Sequence, residues 1–96
     1  MSTLTRYSAC PPYRLTGAPA PLLKWSGADP VPEIGAIVRI KVNGVGLAEV
    51  VGYGSQDDWL GVFTVPQDPP EWWIKQNGPP TKANAALAYG AEISTP

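Results

Sequence analysis

The sequence contains no histidine and a single cysteine, Cys10. Without histidine the chain lacks the side chain that most often acts as general base or metal ligand, and it lacks any Ser–His or Cys–His nucleophile. One cysteine permits no disulfide within the chain, which excludes a disulfide-framed secreted domain and favours the cytoplasm. Because zinc prefers nitrogen and sulfur ligands, we expect no metal site and no cofactor.

Long apolar runs and clustered positive charge are also missing. No run approaches the roughly 20 apolar residues that cross a bilayer, and MSTLTRYSAC lacks the basic start and apolar centre of a signal peptide. The net charge is −1, with seven Lys plus Arg residues, so no basic patch for phosphates is evident. We therefore expect no membrane partner, and a nucleic-acid partner is disfavoured.

The 96 residues are enough for one domain and too few for two cores. Six prolines between positions 11 and 32 disfavour long helices and interior strands in the first third. The sequence therefore predicts a proline-rich N-terminal arm over residues 1–33 and a folded domain over residues 34–96. Leu22, Leu23 and Trp25 are too apolar for a solvated tail, so we expect part of the arm to dock on the domain.

The centre of the chain alternates apolar and polar residues with the period of a β-strand. The predicted strands are residues 36–42, 47–53 and 59–65. Asn43-Gly44 suits the left-handed backbone of a tight hairpin turn between the first two strands. Residues 54–58 (GSQDD) are typical turn residues and predict the second connection.

The C-terminal third carries helix signals followed by a last strand. An Asp cap, early prolines, Glu71 and a closing Asn-Gly predict one or two helical turns within residues 68–78. Residues 82–87 suit another helical turn, and residues 88–93 predict the strand that completes the sheet. This order is typical of a mainly β fold, a small SH3-like barrel of about five antiparallel strands with one short helical turn.

Aromatic residues near strand ends and loops are the candidates for binding. Trp72 and Trp73 are adjacent, so on a short helix they cannot both face the core. SH3-like barrels display aromatic grooves for extended ligands, although the same tryptophans also suit a small core. Asp57 and Asp58 belong to the loop beside this surface, where solvated turn residues are the simplest interpretation. The predicted partner-binding surface comprises Tyr53, Asp57, Asp58, Trp59, Trp72 and Trp73.

The segments AIVRIKVNGVGLAEVVGY, WLGVFTV, DPPEWW and YGAEI lie within residues 34–93. In this pattern the chain loosely resembles small uncharacterised SH3-like proteins carried by plasmids and other mobile elements. The resemblance implies a non-enzymatic protein-interaction module, for example an inhibitor of a host defence complex of the anti-CRISPR or antirestriction type. The protein partner itself is not indicated by any motif.

Three alternatives remain open at this point. Plasmid-type dihydrofolate reductase is similar to an SH3-like barrel and works as an oligomer, so missing histidines do not exclude catalysis by positioning. Arg39 and Lys41 beside tryptophans suit a weak nucleic-acid binder. An exposed tryptophan pair also suits a homodimer interface.

Overall fold

A computed structural model of the protein describes residues 4–11, 13–14 and 23–96. Over these ranges the fold is mainly β, with one α-helix, α1 (Glu71–Asn77), and two short 3₁₀ turns, Lys82–Asn84 and Gly90–Glu92. The strands are β1 (Thr5–Tyr7), β2 (Tyr13–Arg14), β3 (Leu23–Lys24), β4 (Ile37–Ile40), β5 (Gly46–Gln56), β6 (Trp59–Pro66), β7 (Ala86–Tyr89) and β8 (Ile93–Ser94).

Strands β4, β5 and β6 form the predicted antiparallel meander. In β4, Val38 and Ile40 are buried while Arg39 is exposed, which confirms the alternation expected from the sequence. The β4–β5 connection also turns where predicted, because Asn43 and Gly44 have φ values of 57° and 69°. These left-handed residues suit the right-handed twist of the strands that they join.

Strand β5 extends three residues beyond the predicted end at residue 53, and the turn shrinks to Asp57-Asp58. Gly54 and Ser55, which the sequence suggested as turn residues, are buried in the sheet and paired with Gly61 and Leu60. A Cβ on Gly54 would lie 2.7 Å from Cε2 of Phe63, so glycine serves close packing here. The prediction of a turn at Gly54 and Ser55 was therefore wrong, and the turn lies at Asp57-Asp58.

The remaining strands attach to the β5–β6 hairpin on both sides. β4 and β1 pair with successive parts of one edge of β5, whereas β3 and β7 pair with successive parts of the far edge of β6. β8 lies antiparallel to β4. Followed from neighbour to neighbour, the sheet runs β2-β3-β6-β5-β4-β8.

The N-terminal segment contributes strands that the expectation of about five antiparallel strands did not include. β1 pairs antiparallel with β5, but β2 pairs parallel with β3 and β3 parallel with β6. Trp25, which follows β3, is 5% exposed and donates its indole N–H to the carbonyl of Asp29 at 2.7 Å. Leu22, also expected to dock, lies outside the described residues.

The core lies between the arm and the meander. Leu60, Val50 and Val62 are fully buried at its centre, and Trp25 packs into the same cluster from the arm. Tyr13 meets Trp25 edge to face, with ring centroids 6.4 Å apart. The arm therefore supplies aromatic surface that the small apolar residues of the meander cannot provide.

The helix and the last strands lie in the predicted regions of the sequence, but they begin and end at residues other than those predicted. α1 begins after Pro70, with no side-chain cap, so the predicted Asp cap is wrong. Gly78 ends the helix with φ 88° and donates its N–H to the carbonyl of Ile74, as expected of a C-terminal glycine. The strand predicted over residues 88–93 is two strands, β7 and β8, separated by the Gly90–Glu92 turn.

Gly90 begins the turn that separates the two strands. It packs directly on Gly27 of the arm, and a Cβ at Gly90 would collide with the backbone nitrogen of Gly27 and with the Trp25 ring. The two backbones approach so closely that neither glycine can carry a side chain without movement.

We predict that Gly90→Ala lowers the free energy of unfolding by about 1–3 kcal/mol, because overpacking forces the arm away from the turn. Gly52→Ala in β5 is the matched control, since its Cβ would meet Phe63 at an ordinary 3.9 Å. Urea unfolding monitored by tryptophan fluorescence measures both variants. Equal stability of the two variants would contradict the proposed backbone contact.

Candidate binding surfaces

Trp59 forms the wall of an open notch at the start of β6. Its side chain is 40% exposed, and the Nζ of Lys24 lies 5.2 Å from the ring centroid. The notch has a volume of about 300 Å³. It is lined by Ser26, Gln56, Asp57, Trp59 and Tyr89, and we call it the Trp59 notch.

The notch owes its shape to the tight turn between β5 and β6. Asp57 and Asp58 both adopt left-handed backbone, with φ 53° and 68°, so Gln56 and Trp59 become the last pair of the hairpin. The Tyr89 hydroxyl donates to Oε1 of Gln56 at 3.3 Å. Asp58 does not line the notch, and its carbonyl accepts the N–H of Lys24 at 2.8 Å.

The notch offers an aromatic face and a charged rim. The indole face offers apolar contact and attracts cations, and the Asp57 carboxylate adds a negative charge at the rim. The Ser26 hydroxyl already accepts the N–H of Ala91 at 2.9 Å, which ties the arm to the C-terminal turn behind the notch. The notch is therefore held in place from two sides before any partner binds.

The tryptophan pair on α1 separates as expected, since Trp72 is 41% exposed and Trp73 is 3% exposed. Adjacent helix positions point about 100° apart, so only one of them can enter the core. Trp72 borders a groove of about 260 Å³ between α1, the β4–β5 turn and β7. Its lining includes Trp72, Gln76, Val42, Val45, Leu87 and Glu92, and we call it the Trp72 groove.

The predicted surface is therefore two surfaces. Trp59 begins β6, while Thr64 of the same strand lines the Trp72 groove. Trp59 and Thr64 are five positions apart, which is roughly 16 Å along a strand. A single small contact therefore does not cover both the Trp59 notch and the Trp72 groove. Asp57 and Trp59 come together, and Trp72 stands apart from them.

Two predicted surface residues belong to the interior. Tyr53 is 4% exposed and donates its hydroxyl to the carbonyl of Pro32 at 2.9 Å, so it joins meander and arm. Burial raises the pKa of the Tyr53 hydroxyl. Trp73 is the buried residue of α1. Both side chains are almost fully buried, although Trp73 still lines the Trp72 groove.

The sequence missed Ser26, Gln56 and Tyr89 as residues of the notch. Gln56 would have been found if the turn had been assigned to Asp57-Asp58, because a two-residue turn there pairs Gln56 with Trp59. Gly54 is the stronger turn residue in the sequence, so the turn was predicted to begin there. Ser26 and Tyr89 arrive from distant parts of the chain. No local sequence pattern predicts that these two residues line the notch.

A larger concavity, of about 380 Å³, lies between the arm and β8 and contains none of the predicted site residues. Trp25, Val38 and Ile93 supply its apolar lining, with Asp29 and Lys41 at its polar parts.

Other candidates from the sequence lie apart from both surfaces. Cys10 is exposed, and desolvation by neighbouring atoms raises the pKa of its thiol, which disfavours the reactive thiolate. Arg39 and Lys41 are exposed but line neither the Trp59 notch nor the Trp72 groove.

Among residues 4–11, 13–14 and 23–96, no three thiol or carboxylate groups cluster as metal ligands do. Over the same ranges no helix has the length and apolar character to span a membrane.

Comparison with known proteins adds no relative. No protein-family model matches the chain, and neither a curated protein nor a solved structure is significantly similar to it.

We predict that Trp73→Ala destabilises the fold by about 3–5 kcal/mol, because it empties a large core position. Trp72→Ala, one residue away on the same helix, should cost about 1 kcal/mol or less because its side chain is substantially exposed. Urea denaturation curves measure both changes. The assignment of Trp73 to the core would be wrong if the two variants were equally stable.

Tyr53 also gives a pH dependence. The pKa of Tyr53 in the folded protein is raised above the unfolded value of about 10. The contribution of Tyr53 to the free energy of unfolding is therefore complete below pH ~10 and is lost as the pH rises through the folded pKa. Tyr53→Phe should cost about 1–2 kcal/mol at pH 7 through the lost hydrogen bond to Pro32, and should weaken the alkaline decline. Stability measured from pH 8 to 11 tests this. Tyr89→Phe, which keeps Tyr53, should retain the decline of the wild type.

Proposed function

We propose that the protein is a non-enzymatic protein-interaction module whose partner binds at the Trp59 notch. The observation that carries this proposal is the exposure of Trp59 over a preformed concavity with a carboxylate at its rim. Tryptophans that combine exposure with a fixed setting are the residues that most often dominate protein interfaces. The hydrogen bonds of Tyr89 and Ser26 hold the notch in shape, which lowers the entropic cost of binding.

We infer that the underlying fold is a small SH3-like barrel. The support is the order of neighbours, in which β4 pairs with β5, β5 with β6 and β6 with β7. The 3₁₀ turn Gly90–Glu92 then leads to β8, which pairs back onto β4. In the described ranges β7 pairs with β6 alone and β8 with β4 alone, so the sheet stays open between them. Small barrels use the loops at their ends for binding.

The resemblance to small proteins of mobile elements favours a more specific role in the cytoplasm. An inhibitor of a host defence complex acts by covering a functional surface, and it needs an interface but no active site. The Asp57 carboxylate at the rim suits a basic group on the partner, such as those lining the nucleic-acid channel of a CRISPR or restriction complex. The identity of that complex would come from the partner itself.

We predict that the immobilised wild-type protein retains a defined partner from a lysate of its host, and that Trp59→Ala reduces retention at least about tenfold, as loss of a hot-spot aromatic does. Asp57→Asn should weaken binding less and make it less sensitive to salt. Ile34→Ala is the matched control, since Ile34 is 49% exposed and lines neither the notch nor the groove.

Circular dichroism shows whether each variant is folded, and mass spectrometry identifies the retained protein. A subunit of a defence complex would support the inhibitor role. The proposal fails if Trp59→Ala retains the partner as well as Ile34→Ala does, or if no protein is retained. Retention of a second copy of the chain itself, seen by light scattering, would indicate a homodimer instead.

A further inference from the structure

The chain contains three asparagines, and two of them, Asn43 and Asn77, precede a glycine. An asparagine followed by glycine can react with its own main chain, because glycine has no Cβ to hinder the approach of its nitrogen. That nitrogen attacks Cγ of the asparagine, and the side-chain nitrogen leaves as ammonia. In a folded protein the reaction depends on what holds the side-chain amide and the attacking N–H.

Both reacting groups of Asn77-Gly78 are held in place. Asn77 is the last residue of α1, and its Nδ2 donates to the carbonyl of Trp73 at 3.1 Å. The N–H of Gly78 donates to the carbonyl of Ile74 at 2.8 Å. The Asn84 side chain also lies against Gly78, since a Cβ placed there would be 3.0 Å from Nδ2 of Asn84. Reaction at Asn77 therefore requires the end of the helix to unwind and two hydrogen bonds to break.

Asn43-Gly44 lacks this protection. Both residues are exposed in the turn between β4 and β5, and no residue of the described ranges bonds to the Asn43 side chain or to the Gly44 N–H. The N–H of Val45 donates to the carbonyl of Val42 at 3.4 Å, which is longer than the usual distance of about 2.9–3.0 Å. Opening this turn breaks one weak bond and leaves the pairs of β4 with β5 intact.

The backbone conformation of Asn43 also favours opening. Its φ is 57°, a left-handed value that costs energy in a residue with a Cβ. Ring closure requires rotation about ψ of Asn43, so that the Gly44 nitrogen approaches Cγ, and this rotation takes Asn43 out of its turn conformation. Release of the left-handed backbone offsets part of the cost of opening.

We propose that Asn43 is a site of spontaneous deamidation and isomerisation in the folded protein, and that Asn77 is protected from the same reaction. The two sites share the Asn-Gly sequence, so the difference between them comes from the fold alone. The reaction is independent of any partner of the Trp59 notch.

The reaction needs only water. The Gly44 nitrogen loses its proton to water or hydroxide and bonds to Cγ of Asn43, while the Cγ–Nδ2 bond breaks and the amino group leaves, with a proton from water, as ammonia. Water then opens the cyclic imide at one of its two carbonyls. Addition at Cγ gives aspartate, and addition at the main-chain carbonyl carbon gives isoaspartate. One water is consumed and one ammonia is released for each asparagine converted.

Either product changes the charge of the Trp72 groove. Asn43 is one of the residues that line the groove, and Glu92 is another. Deamidation places a second carboxylate in the same concavity, where two negative charges repel each other and disfavour an acidic ligand.

Isoaspartate also lengthens the turn, because the main chain then runs through Cβ and Cγ and gains one carbon. The pairing of Ile40 with Gly46 and of Val38 with Ala48 fixes which face of β4 is buried. Val38 and Ile40 are 6% and 7% exposed, so a longer turn strains the register that buries them. The stability of the meander should therefore decline as isoaspartate accumulates.

Incubation of the full-length protein in mildly alkaline buffer, followed by peptide mapping with mass spectrometry, tests the site. The peptide with Asn43 should gain about 1 Da at least about tenfold faster than the peptide with Asn77, whose two hydrogen bonds must break first. In concentrated urea both pairs are solvated, and their rates should agree within about threefold. The proposal is wrong if Asn77 reacts as fast as Asn43 in the folded protein, if the difference persists in urea, or if Asn43 reacts only in urea.

Matched variants separate the site from its consequences. Asn43→Gln should abolish the gain at position 43, because glutamine would have to close a larger ring, whereas Asn77→Gln should leave that gain unchanged. Asn43→Asp carries the new charge without lengthening the chain. The isoaspartate form purified from aged protein should therefore unfold at a lower urea concentration than Asn43→Asp. A gain that persists in Asn43→Gln would overturn the site, and equal urea midpoints would overturn its effect on the turn.

Discussion

The antiparallel pairing of β5 with β6 is the constraint on which the described structure depends. Its tight turn at Asp57-Asp58 sets which residues of β6 bond to β5 and which bond outward. β4 and β1 share one side of this hairpin, and β3 and β7 share the other. A shift of one residue in the hairpin would exchange the two faces of β6 and move Leu60 and Val62 out of the core.

The N-terminal segment is a second part of the same core. Trp25 fills space beside Val50 and Leu60, and Gly27 lies against Gly90 where the chain turns into β8. The Tyr53 hydroxyl donates a hydrogen bond to the carbonyl of Pro32, which fixes the segment before β4 to the meander. A small domain has little apolar surface to bury, and the arm adds large side chains to that total.

Both candidate surfaces follow from this packing. The Trp59 notch combines the hairpin turn with Ser26 from the arm and Tyr89 from β7. The Trp72 groove lies between α1, the β4–β5 turn and β7. They sit toward opposite ends of β6. The Trp59 notch has an aromatic face with a carboxylate at its rim, whereas the Trp72 groove has apolar walls and the carboxylate of Glu92.

Local pattern alone determined the meander, the Asn43-Gly44 turn, the helix that Gly78 ends and the rule that Trp72 and Trp73 must separate, because strand and helix periods act over a few residues. Only the tertiary structure decided that Tyr53 is interior, that Gly54 lies in a strand and that Gly90 divides β7 from β8. Those outcomes depend on Pro32, Phe63 and Gly27, which are distant in sequence and meet only after folding.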